Sequence, residues 1–148
     1  MVTRMSLENL VSINRLQKHK ATHESILKLL SAAERNLVDA QVSSITPENR
    51  FDAAYKAILQ CAMAALWIKG YRTPTSVPGH HMTAIQSLPL TIEVDKATVI
   101  ILEALRKQRN LSDYEGDPIT DATLTECLQQ AKLLLAHATA KITAMMAK

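Results

Sequence analysis

Thr46-Pro47-Glu48-Asn49-Arg50-Phe51-Asp52-Ala53-Ala54-Tyr55-Lys56-Ala57-Ile58-Leu59-Gln60-Cys61-Ala62-Met63-Ala64-Ala65-Leu66-Trp67-Ile68-Lys69-Gly70 reads as one long helix. Thr46 can accept hydrogen bonds from the free backbone N–H groups at the helix start. Pro47 suits the first helical position, where no N–H is needed. Glu48 sits favourably near the positive end of the helix dipole. Phe51, Ala54, Tyr55, Ile58, Ala62, Ala65 and Leu66 form one apolar stripe, and Leu59, Met63 and Trp67 form another. A helix apolar on two faces needs neighbours on both, so this segment predicts the spine of a helical domain. Gly70 tolerates the left-handed conformation that ends it.

The flanking sequence supplies those neighbours. Residues 23–42 predict a helix with Ile26, Leu29, Leu30, Ala33, Leu37 and Ala40 on one face. Residues 6–18 predict a shorter helix on Leu7, Leu10, Val11 and Ile13, followed by the basic stretch Lys18-His19-Lys20-Ala21-Thr22-His23. Beyond the spine, Tyr71 to Gly79 reads as a loop because Pro74, Pro78 and Gly79 interrupt it. A short helix is expected over 80–88, stopping before Pro89, and a longer one over 92–109 on Val94, Ala97, Thr98, Ile101 and Leu105. A second loop carries Asp113-Tyr114-Glu115-Gly116-Asp117-Pro118. The last helix begins near Thr120 or Asp121. Its Leu124, Cys127/Leu128, Ala131, Leu135, Ala138, Ile142 and Met145 recur in steps of three and four. That heptad spacing fits packing within a bundle, with a coiled coil between subunits as the alternative. The expected fold is all-α, an up-and-down helical bundle of about five to six helices forming one domain over residues 1–148. The N-terminal helix, within 1–20, is its least regular part.

Composition agrees. Hydrophobic residues make up 47% of the 148 and aromatics only 3%, so aliphatic side chains must build the core. Three glycines and five prolines are too few for an all-β chain rich in tight turns. The formal charge of +3 permits contact with nucleic acid without demanding it. The longest apolar run, residues 57–68, contains Gln60 and falls short of the roughly 20 residues a bilayer span needs. Glu8, Asn9, Asn14 and Arg15 interrupt any secretory signal, so a cytoplasmic protein without membrane contact is expected. Cys61 and Cys127 both lie in apolar helical patterns and read as reduced, buried thiols.

The opening of the spine, Asn49 to Ala57, leads to Gly70-Tyr71-Arg72, then Pro78-Gly79-His80-His81, then Arg109-Asn110 and Asp113-Tyr114. In this order the chain resembles the HEPN superfamily, the higher eukaryote and prokaryote nucleotide-binding domains, over residues 29–145. The resemblance implies a bundle of four or five helices, often a homodimer. Many members are RNases of toxin–antitoxin, defence or RNA-processing systems, and others are non-catalytic partners of nucleotidyltransferases. The family's RNase motif is an Arg, often followed by Asn, with a His four to six residues on, and two motifs face each other across a dimer. Arg109 and Asn110 match its start. Tyr114 stands where the His would be. An imidazole titrates near about 6.5 and a phenol near about 10, so Tyr114 is poorly suited to proton transfer at neutral pH. The resemblance therefore implies an RNA- or nucleotide-binding module and not an efficient RNase.

The candidate binding residues are Arg109, Asn110, Asp113, Tyr114, His80, His81 and Arg72. Each has a plainer reading. Arg109, with Arg106 and Lys107, can serve as a helix C-terminal cation, and Asn110 as a helix cap. Tyr114 can be a core tyrosine with its hydroxyl at the surface. His80 and His81 point about 100° apart on a helix, which disfavours a shared metal ion, and no metal or cofactor is expected. Lys18, His19, Lys20, His23 and Lys28 read as a solvated face, with phosphate contact the alternative. Three functions compete: an RNA- or nucleotide-binding module, an RNase in which His80 or His81 supplies the imidazole, and an adaptor acting through helix contacts. The first expects Arg109 and Tyr114 to open onto one groove.

Overall fold

A computed structural model describes residues 6–148, so residues 1–5 of the expected domain lie outside the described residues. The chain runs α1 (Leu7–Ser12), β1 (Gln17–Lys18), α2 (His23–Ala40), α3 (Pro47–Ile68), β2 (Tyr71–Arg72), α4 (His80–Gln86), α5 (Leu88–Ile92), α6 (Lys96–Glu115) and α7 (Asp121–Met146). It is an all-α bundle with one two-residue ribbon.

α3 is the spine. It packs against α2 and α7 and also meets α4, α5, α6 and β2. Phe51, Ala54, Ile58, Ala62 and Leu66 of its first stripe are buried. Thr46 caps it, its hydroxyl accepting from the Asn49 N–H at 3.5 Å, and Pro47 opens it. Arg50 Nε donates to the Ala40 carbonyl at 2.9 Å, filling an acceptor that the end of α2 leaves open. Glu48 accepts from the Ile119 N–H at 2.9 Å and so anchors the approach to α7. Gln60, the polar interruption of the apolar run, accepts from Asn36 Nδ2 of α2 at 2.8 Å. Its burial is thereby offset by a partner.

α2 buries Ile26, Leu30, Ala33, Leu37 and Ala40, as its periodicity predicts. α7 buries Leu124, Cys127, Ala131, Leu134, Ala138 and Ile142 against α3 and α2. Five of the heptad-spaced positions, Leu124, Cys127, Ala131, Ala138 and Ile142, are therefore used inside the bundle, whereas Leu128, Leu135 and Met145 are only partly buried and Leu134 is buried in place of Leu135.

Several boundaries differ from expectation. The first helix stops at Ser12, because Asn14 takes a left-handed φ of 62° and the Leu10 carbonyl collects the Arg15 and Leu16 N–H groups. The chain then extends, and Gln17-Lys18 pairs antiparallel with Arg72-Tyr71. The expected 80–88 helix is two pieces meeting at Ser87; Pro89 lies in the first turn of α5, where its missing N–H is harmless. The helix expected to end at Arg109 runs to Glu115. Gly116, at φ 74°, closes it by donating to the Ser112 carbonyl. Its start also moves, from residue 92 to Lys96, with Asp95 as the cap.

Candidate functional site

Continuing α6 through Tyr114 decides which residues meet. Positions four apart share a helix face, and positions five apart lie about 140° round it. Arg109 Nε accordingly lies 2.8 Å from Asp113 Oδ2, one turn on, and 3.7 Å from Asp52 Oδ1 of α3. The N–H does not point at the near oxygen, so the contact is an ion pair and not a directed hydrogen bond. The guanidinium carbon stands 5.6 Å from the centroid of the Tyr55 ring. Tyr114 points elsewhere and is 81% exposed. The expected groove shared by Arg109 and Tyr114 is therefore not formed, and Tyr114 is a surface residue, not a core one. Asn110 lies within the helix, half-buried, and does not cap its end.

A second group gathers around α4. The His80 and His81 rings touch edge to face at 4.4 Å, and His81 lies 6.3 Å from the Tyr55 ring. Tyr55 thus neighbours both His81 and Arg109. Burial pushes its phenol up to about 12 against the lowering influence of Arg109 and Arg106, and its hydroxyl is buried without a partner in the described chain. Burial also pulls His81 down to about 4, aided by His80, Arg109 and Arg106. His81 is consequently a neutral ring near pH 7.

His80, His81 and Arg72 line a partly enclosed cavity of about 320 Å³ between α3, α4 and the ribbon. The Gln17 amide, assigned with its oxygen toward Arg72, accepts from both Nε and Nη2. Trp67, from the second stripe of α3, lines the same cavity and makes an edge contact at 5.0 Å with His19, next to β1. Of the seven candidates, the structure brings Arg72, His80 and His81 together, sets Arg109 with Asp113 beside them through Tyr55, and leaves Tyr114 apart. Gln17, Trp67 and Thr73 were missed. Trp67 had a signal in the second apolar stripe; Gln17 and Thr73 had none, because a two-residue ribbon has no readable period.

Cys61 and Cys127 are free and buried, and burial pushes each thiol up to about 12, which leaves them unreactive. Among the described residues no group of three His, Cys, Asp or Glu is placed to hold a metal ion, and no helix is long and apolar enough to cross a membrane. No family model matches the chain, and no curated protein matches it.

Proposed function

We propose that this chain is an RNA- or nucleotide-binding helical module of the HEPN type whose seat is the cleft at Arg72, His80 and His81. The observation that carries the reading is the convergence of these three residues with Trp67 at one cleft, His19 lying against the Trp67 ring. Lys18 and Lys20, both exposed, flank His19. Exposed cations suit phosphates, and an indole or imidazole face suits an unstacked base. Arg109 is less suited to phosphate, because Asp52 and Asp113 already balance its charge. The order of sequence motifs supports the family assignment. A homodimer, an antitoxin or nucleotidyltransferase partner and a cytoplasmic setting belong to the same proposal.

The closeness of His81 to the Arg109–Tyr55 pair favours a second reading, an RNase in which His81 supplies the imidazole. A base held near about 4 is far from the working pH at which proton transfer is most effective, so binding without efficient cleavage is the preferred reading.

One assay on labelled single-stranded and structured RNA separates them. Binding should weaken steeply with salt, and further in the Arg72→Ala variant and in the Lys18→Ala/Lys20→Ala double variant. Binding indifferent to all of these substitutions sinks the first reading. Cleavage that is lost in both Arg109→Ala and His81→Ala would establish the second.

A further inference from the structure

The cavity at Arg72 holds about 320 Å³, near the lower end of the roughly 300–1,000 Å³ typical of small-molecule pockets. Part of its wall is aliphatic: Leu59, Met63 and Leu66 from α3, with Ala84 from α4. The rest is polar and contains no carboxylate. Thr73 is nine-tenths buried, and its hydroxyl, still reached by solvent, makes no hydrogen bond within the described chain. The His80 and His81 rings and the Trp67 indole N–H likewise have no hydrogen-bond partner there. These groups are free to bond whatever fills the space.

The two nearby guanidinium groups differ in one respect. Arg109 is held between two carboxylates, whereas Arg72 makes no ion pair among the described residues and faces only the neutral Gln17 amide. A permanent cation beside an apolar wall, with no acid in the lining, selects for a negative group joined to an apolar one.

We propose that this cavity binds a small organic anion whose charge meets Arg72 and whose apolar body fills the space beside Leu59 and Met63. The proposal rests on the same cleft as the RNA- or nucleotide-binding reading and narrows its ligand to one held inside the cavity and not along the exposed lysines.

Titration calorimetry of the full chain tests this with 1-naphthyl phosphate, 1-naphthoate, 1-naphthol and inorganic phosphate. At least one of the two naphthyl anions should bind about tenfold or more tightly than both naphthol and phosphate alone. The phosphate and carboxylate arms show which anionic group the site prefers. Arg72→Gln should remove most of that advantage while leaving naphthol unchanged. Met63→Trp, which fills the cavity, should abolish binding with the helical circular dichroism retained. Thr73→Val, close to isosteric, should weaken the anions and supplies the measurement if Met63→Trp unfolds. Equal affinity for naphthol and both anions, or an anion affinity untouched by Arg72→Gln, overturns the proposal. The Lys18→Ala/Lys20→Ala variant should lose RNA while keeping the naphthyl anion, so the two readings fail separately.

Discussion

His81 carries a linked prediction because its environment opposes its charge. Burial first, then His80, Arg109 and Arg106, lowers it from 6.5 to about 4. As pH falls from 6.5 toward 4, the unfolded chain takes up a proton that the native chain refuses. Stability from the neutral ring is therefore complete above the unfolded value and is lost as pH falls through the folded one. The ring is only half-buried, so the loss after allowing for solvent screening is about 1 kcal/mol. Urea midpoints at pH 7 and pH 4.5 should fall further in the wild type than in His81→Gln. A parallel fall would assign the titration to other groups. At this scale the sequence named Arg72, His80 and His81, which the fold gathers at one cavity, and misjudged the placing of Tyr114. Arg109 forms ion pairs with Asp113 and Asp52 and does not turn toward Tyr114. The four-residue and five-residue spacings differ only if the helix continues, and Asp113-Tyr114-Glu115-Gly116 looks like a loop until Gly116 is seen to cap it.

Helix ends were legible where a side chain marks them. Thr46 and Thr120 cap α3 and α7 as their positions predict. Thr120 Oγ1 accepts from the Thr123 N–H at 3.1 Å. Thr120→Ala should lower stability by about 1 kcal/mol, and Thr120→Ser should restore most of it. Chemical denaturation of the three proteins checks this; an unchanged Thr120→Ala midpoint would mean that water replaces the cap at no loss. Where backbone partners mark an end, sequence reading failed. The ribbon exists because the segments after α1 and α3 lie side by side, and two residues carry no pattern of their own. Pro89 was read as a stop because its place in the first turn of α5 depends on the break at Ser87.

Across the whole molecule, α3 holds the other helices together. Ile58 is fully buried at its middle. Ile58→Ala should cost roughly 2–5 kcal/mol, through lost transfer energy and the cavity left behind. Lys56→Ala, exposed on the same helix, should stay within about 0.5 kcal/mol. Urea titration of both reads the contrast. Similar losses would mean that the helix is not the central packing element.

The chain's own pattern determined that it is helical, which segment is central and which faces turn inward. Apolar periodicity and capping are local, and burial of apolar area rewards them wherever the partners come from. Tertiary structure alone decided that Arg72, from a ribbon, meets His80 and His81, from a helix, at one cavity, and that Tyr55 neighbours both His81 and Arg109. Such meetings depend on how packed helices cross and where their connections return, and no spacing along a single segment encodes that geometry.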